Sequence, residues 1–286
     1  MLTTTAGEAN HMMKKSAFQQ QTKTSKFTLK KAIEISGLLA LITLTAALPG
    51  QALEFPQMGD RGAPARTSGG GTRGDRCAAD IDNPIRALVP KNNISTFADS
   101  QARLWIHIPA ELTAYTAEVF VKHPNNHKVI YEHQTALPAL NADGLIELTL
   151  PATRADGSPL LENNQDYFWE VAIICDTNDR SRDRFVQGFL HRMAEDTAAQ
   201  AWSEATDNKT ETIPSMDPTE FIIEMNAGAG LWQETLWQTI RANSHTPTYW
   251  NELLASVGLE DLANQYAPPV MRSLQYLSLP QAEQLR

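Results

Sequence analysis

The chain has 286 residues, with 24 Lys+Arg against 33 Asp+Glu, 42% hydrophobic side chains and two cysteines. That length and apolar share support a buried core and exclude a disordered or collagen-like chain. Two cysteines exclude both a dense disulfide scaffold and a four-thiolate zinc site. The acidic balance argues against a nucleic-acid binder, which neutralises phosphates with Lys and Arg.

Charge is uneven along the chain. Lys14, Lys15, Lys23, Lys26, Lys30 and Lys31 face a single acid, Glu8, within the first 31 residues. An apolar run from Gly37 to Leu48 follows, then Pro49, Gly50, Gln51 and Ala52. A basic leader, a short apolar core and small residues at −3 and −1 (Gly50 and Ala52) read as a secretory signal peptide over 1–52. The run is short for a membrane span, which needs about 20 apolar residues. A retained anchor lengthened through Ile33 and Ile35 is the alternative, and Met12 or Met13 compete with Met1 as the start. Cleavage after Ala52 removes six lysines and two glutamates, leaving 18 basic and 31 acidic side chains and a net charge of −13. A field of that sign repels nucleic acid and anionic lipid. The expected mature protein is exported, periplasmic or extracellular, with no stable membrane insertion.

Residues 53–80 read as a linker, because Pro56, Gly59, Gly62, Pro64 and the run Thr67–Gly74 offer little to pack. Over 81–192 the hydrophobic period becomes two. Strands are predicted at Ile85–Val89, Leu104–Ile108, Glu118–Lys122, Val129–Thr135, Leu145–Leu150, Tyr167–Cys175 and Arg184–Leu190. In the fifth of these, Ile146, Leu148 and Leu150 point inward, while Glu147 and Thr149 point outward. Strands this short and this closely spaced, without intervening helices, predict a mainly β fold. Its form is an antiparallel β-sandwich of the immunoglobulin or fibronectin-III kind.

After Arg192 the period becomes 3.6, and 193–266 reads as a small helical region. Asp217-Pro-Thr-Glu220 is a capping box with proline at the first helical position. Trp232, Leu236 and Ile240 recur at four-residue steps. Trp250, Leu253, Leu254 and Val257 share a face ahead of a stop at Gly258, and a short helix is predicted over 260–265. Residues 267–286 form a tail for which disorder is one reading.

Several segments together resemble a cyanobacterial secreted family known as domain of unknown function 928. They are Gly69–Gly74 running into Cys77, Leu88-Val-Pro90, Trp105 with Pro109, Trp169–Asp176, Arg180-Ser181, Asp183, Val186–Phe189 through Arg192, Trp250–Leu254 and Val257-Gly-Leu259. The resemblance covers roughly 66–265 and departs at Phe189, where tryptophan is expected, and across 194–229. It implies export, a β-rich core and a helical tail, and no known reaction.

Each chemical motif has a plain structural alternative. Cys77 and Cys175, in an oxidising compartment, are expected to form a structural disulfide; two free thiols are the other reading. Gly69-x-Gly71-x-x-Gly74 matches a dinucleotide fingerprint in form, but lacks the preceding strand and following helix that would hold a pyrophosphate, so no cofactor is expected. His123, His127 and His133, with His107 on a neighbouring strand, lack assured convergence, so no metal is expected. Asp176–Asp183 is acidic, but Arg180 and Ser181 occupy positions where an EF-hand wants an oxygen ligand and glycine. It reads instead as a hairpin loop with Arg180 or Arg182 paired to Asp176, Asp179 or Asp183. Trp232, Trp237 and Trp250 are core at helical spacing, or stack on a glycan or partner; Trp169 is core. No Gly-x-Ser-x-Gly, His-Glu-x-x-His or P-loop occurs. The expectation is a non-enzymatic binding or assembly module with an envelope protein or glycan as partner. The alternative is a periplasmic carbohydrate-active or metal-dependent hydrolase using loop carboxylates.

Overall fold

The structure is a computed structural model and describes residues 52–56, 68–69, 84–112, 115–140, 142–208, 216–242, 247–266 and 274–281. The chain divides into two units, Met1–Gly50 and Gln51–Arg286, and every element described below belongs to the second. The leader expected over 1–52 therefore lies outside the described residues, apart from Ala52.

Among the described residues ten strands form two sheets: β1 (Ser68–Gly69), β2 (Arg86–Ala87), β3 (Ile94–Phe97), β4 (Arg103–Ile108), β5 (Thr116–Lys122), β6 (Val129–Ala136), β7 (Gly144–Thr149), β8 (Gln165–Ile174), β9 (Arg184–Arg192) and β10 (Leu274–Ser278). One sheet has the order β1-β9-β8-β5-β6, with β3 lying against β9. Along β9, β1 takes Phe185 and Val186, and β3 takes Phe189–Arg192. The second sheet has the order β10-β7-β4-β2. The β3–β9 and β10–β7 pairings are parallel, and the other pairings between named strands are antiparallel, so the body departs from a purely antiparallel arrangement.

Alternation builds the core between the sheets. Leu104, Ile106, Ile108, Ile146 and Leu148 from the second sheet meet Val119, Val121, Tyr167, Trp169, Val171, Ile173, Val186 and Leu190 from the first. Trp169 is a core residue, as its place in the long strand predicts.

Five helices follow β9: α1 (Glu195–Asp207), α2 (Pro218–Gly228), α3 (Trp232–Ala242), α4 (Pro247–Ser256) and α5 (Glu260–Gln265). Asp217 caps α2, its side chain accepting from the Thr219 backbone N–H, with proline at the first position. Gly258, at φ +80°, supplies the left-handed residue that ends the turn after α4. The apolar stripes of the helices cover the outer face of the second sheet. Trp232, Leu236, Ile240, Trp250, Leu253 and Leu254 form one cluster with Leu88, Trp105, Leu145 and Leu274. Trp232 Nε1 donates to the Leu88 carbonyl at 3.0 Å, and Trp250 Nε1 to the Ala263 carbonyl at 3.2 Å. The fold is thus mainly β with a helical layer, and the central strands β4 and β7 of its four-stranded sheet are buried on both faces.

That arrangement corrects three expectations. Leu53 and Phe55, placed by sequence in a linker, are buried in the helical cluster. Residues 274–278, placed in the tail, form β10 beside β7. Glu147, expected to face outward into solvent, is 4% exposed because helices cover that face. Period-two alternation states which residues share a face, not what lies over it.

Close packing at β9 is tightest at Gly188, where an added Cβ would lie 2.7 Å from Asn93 Oδ1 and 2.9 Å from Trp169 Nε1. Both neighbours are buried, so neither can swing clear. Gly188→Ala is expected to cost about 1–3 kcal/mol through overpacking, read as a lowered urea midpoint with an unchanged slope.

Candidate functional site

The residues singled out by sequence go to different places. Cys175 lies half-buried at the end of β8 against the inter-sheet core, and its backbone N–H donates to Asp183 Oδ1 at 3.1 Å. Cys77 lies outside the described residues, as do Gly71 and Gly74 of the glycine motif. Ser68–Gly69 pairs with β9. The histidines separate: His107 is buried under the helices, His123 sits with its ring 5.2 Å from that of Tyr167, His127 adopts a left-handed turn conformation at φ 54°, and His133 lies on β6. Among the described residues no three His, Cys, Asp or Glu side chains gather as a metal-holding group.

The acidic loop is tied internally. Asp179 caps a short 3-10 turn, Arg180–Arg182, by accepting from the Ser181 backbone N–H. Arg180 pairs with Asp183 and, at 2.6 Å, with Glu118, while Arg182 lies 3.6 Å from Asp179. Burial pushes the Glu118 carboxyl up, but hydrogen bonds from Arg180 and Gln134 outweigh it and hold the group below the usual carboxylate range. These carboxylates serve the loop's own shape.

Two polar groups sit instead beneath and beside the helical layer. Arg103, Trp105 and His107 alternate along β4 on the face opposite Leu104, Ile106 and Ile108. Across the sheet, Trp105 pairs in register with Glu147 of β7, which pairs with Tyr276 of β10. Glu147 Oε2 accepts from Trp105 Nε1 at 3.1 Å, Oε1 accepts from Thr149 Oγ1 at 3.2 Å, and Arg103 Nε lies 3.7 Å from Oε1. Burial raises the Glu147 carboxyl above its ordinary range despite these partners.

Above this row runs α3, which presents Gln233, Trp237 and Arg241 at i, i+4 and i+8, one helix face. Gln233 Oε1 accepts from the Arg103 backbone N–H at 2.8 Å, and its Nε2 donates to Ser95 Oγ at 3.2 Å, fastening α3 to β3 and β4. Two guanidiniums lie over the Trp237 ring, Arg103 at 5.2 Å and Arg241 at 4.7 Å from its centroid. Arg103 is held in turn by Asp99 at 3.1 Å. Burial pushes the Asp99 carboxyl up, and Arg103 with the Ser100 and Gln101 backbone N–H groups reverses that and brings it below its usual range. Glu234, on the same helix, accepts from the Ala98 and Asp99 backbone N–H groups at 2.7 and 3.1 Å, and burial raises its carboxyl. Arg241 is exposed, Trp237 is half-buried, and Tyr276 is 57% exposed. The outcome is an exposed aromatic and cationic patch backed by a buried acid.

The second group joins α5 to the sheet. His107 Nδ1 meets the Tyr266 hydroxyl at 2.6 Å, Arg86 pairs with Asp261 at 2.6 Å, and Gln265 Nε2 donates to Asp143 Oδ2 at 2.8 Å. Burial, aided by the Arg86 charge, pushes the His107 imidazole down to about 4.

Of the three tryptophans singled out by sequence, Trp232 and Trp250 are core and Trp237 is half-buried. Arg103, Glu147, Arg241 and Tyr276 were not singled out by sequence. The four-residue step Gln233–Trp237–Arg241 was a usable signal for α3; nothing in the pattern marked Tyr276.

The architecture defines a mainly β protein whose second sheet carries a helical layer and a polar patch at its edge. A family model matches residues 68–267, described as Domain of Unknown Function (DUF928), and the chain belongs to that family. No curated protein and no solved structure matches the chain.

The His107 environment makes a pH prediction. An imidazole near 6.5 when unfolded and about 4 when folded binds its proton more tightly in the unfolded chain. Its contribution is therefore complete above pH 6.5 and is lost as pH falls through that window, on the order of 3 kcal/mol in full. Urea midpoints between pH 7 and 4 should fall more steeply for the parent chain than for His107→Phe, which has no titrating ring.

Proposed function

We propose that this chain is an exported, non-enzymatic binding or assembly module of the cell envelope, of cyanobacterial type, cleaved from its leader near Ala52. The two-sheet body is read as an immunoglobulin/fibronectin-III-like sandwich elaborated by two parallel pairings. Among the described residues no helix is long and apolar enough to cross a membrane, which accords with a module that acts beside a membrane.

The observation that carries the binding reading is the Trp237 ring in contact with both Arg103 and Arg241, together with the exposed Tyr276. Cation–π contact of about 0.5–1 kcal/mol at an exposed site pre-orients the guanidinium of Arg241 while leaving its N–H edge open to a carboxylate or hydroxyl. Trp and Tyr supply large rigid contact area at low entropic cost, the property that enriches them at interfaces. The partner is an envelope protein or glycan. Incubation with envelope extract, followed by size separation, is expected to give a defined complex that Trp237→Ala combined with Arg241→Ala weakens at least tenfold. Turnover in a glycan and ester panel, abolished by single carboxylate changes, would instead establish a hydrolase.

Cys175 is proposed to pair with Cys77. A bridge closing about 98 residues contributes ~4.7 kcal/mol at most in the chain-entropy account. It would tie the segment before β2 to the end of β8. Mass measurement after alkylation of the unreduced native protein should find no thiol; two alkylated thiols would contradict the bridge.

A further inference from the structure

Residues 52–56 alternate between solvent and core: Ala52 and Glu54 are exposed, while Leu53 and Phe55 are buried. Phe55 meets the Trp232 ring edge-on, with centroids 5.0 Å apart. The two buried residues also present their backbone N–H groups to α4. Leu53 N donates to Glu252 Oε2 at 2.8 Å, and Phe55 N to Ser256 Oγ at 3.3 Å. The two spacings match: two residues of extended chain advance about 6.6 Å, and four residues of helix about 6 Å. The strap therefore runs along α4 in register with successive turns. Ser256 Oγ is itself anchored, donating to the Leu253 carbonyl at 2.7 Å.

The exposed-to-buried step falls at the Ala52–Leu53 bond, where Gly50 and Ala52 occupy the −3 and −1 positions of a leader cleavage site. We propose that hydrolysis of this bond by a leader peptidase makes Leu53 the first residue of the mature protein, and that its new ammonium forms an ion pair with Glu252. The inference rests on the export reading above. In the cleavage, water adds across the amide: the C–N bond breaks, Ala52 leaves as a carboxylate, and the Leu53 nitrogen gains the proton. At neutral pH the amine takes up a further proton and is charged. The nitrogen that donates to Glu252 as an amide is the same atom that bears the charge afterwards, so the site needs no rearrangement. Removing Ala52 uncovers no core, since it is exposed. Once Leu53 is buried the bond is hard to reach, so cutting precedes docking. Processing thereby converts a neutral hydrogen bond into a charge-assisted one, about twice as strong, and fixes the mature end on the helical layer.

The test starts from the full chain, exported and recovered, with its first residue read by mass. A second full chain carries Gly-Ser inserted between Ala52 and Leu53, so that cleavage after Ala52 leaves Leu53 as an amide. Glu252→Gln is introduced into each. In the protein beginning at Leu53 it is expected to lower the thermal midpoint by about 2–4 °C, and to raise the rate at which an aminopeptidase releases Leu53 several-fold. In the Gly-Ser protein the midpoint should fall by less than half as much. Ser256→Ala, which touches Phe55 rather than Leu53, should lower both midpoints equally. Equal effects of Glu252→Gln in the two proteins would overturn the ion pair, whatever the leader does. A first residue other than Leu53, or a retained leader, would overturn the cleavage assignment, and with it the basis for this proposal.

Discussion

Burial of β4 and β7, the centre of the four-stranded sheet, on both faces is the constraint on which the rest of the molecule depends. A sheet with one wet face can carry polar residues at every second position at little cost; one covered twice cannot. Here the inner face is satisfied by Leu104, Ile106, Ile108, Ile146 and Leu148. The outer face alternates apolar residues with Arg103, His107 and Glu147, and each of these is held by a specific partner: Asp99, Tyr266 and Trp105 respectively. The helical layer adds polar contacts of its own to that face through Tyr266 after α5 and Gln233 on α3. An unmade bond on that face would cost about 1–3 kcal/mol, which selects one seat for the helices over the many that apolar contact alone would tolerate.

The same constraint explains where the exposed patch comes from. Helix α3 must set Gln233 against β3 and β4, and the i+4 geometry then carries Trp237 and Arg241 outward along the same face. Arg103 from β4 and Arg241 from one turn further along α3 both lie over the Trp237 ring. A surface aromatic is in this way anchored to the buried network through Arg103. Such backing is what gives a recognition residue a fixed orientation before any partner arrives.

Much of the fold was legible in the sequence because its signals are local. Seven predicted strands coincide with β2 and β4–β9 to within a few residues, the Asp217 cap begins α2, and the helix over 260–265 is α5. What escaped was whatever depends on a distant surface. β3 reads Ile-Ser-Thr-Phe without alternation, since all four of its residues are buried: Ser95 accepts from Gln233, and Thr96 bonds the Gly230 carbonyl. β10 carries Leu-Gln-Tyr-Leu-Ser after two prolines, too short to distinguish from a tail until β7 offers it an edge. Leu53 and Phe55 stand alone among glycine, proline and polar residues, and two apolar side chains announce nothing without the helix that receives them. The candidate patch was half legible: Trp237 was named, with a core place or a partner as its two readings, while Arg103, Glu147 and Tyr276 acquire meaning only through strand register.

The parallel pairing of β10 with β7 also sets an order of assembly. These strands lie more than a hundred residues apart in the chain, with β8, β9 and the helices between them. A chain that emerges from its N-terminal end delivers β4 and β7 early, and β10 long after. Until it arrives, β7 presents an open edge of unpaired N–H and C=O groups, a template for pairing with another molecule. The protein thus has a vulnerable interval written into its topology, during which the speed with which β10 arrives decides between a closed sheet and an aggregate.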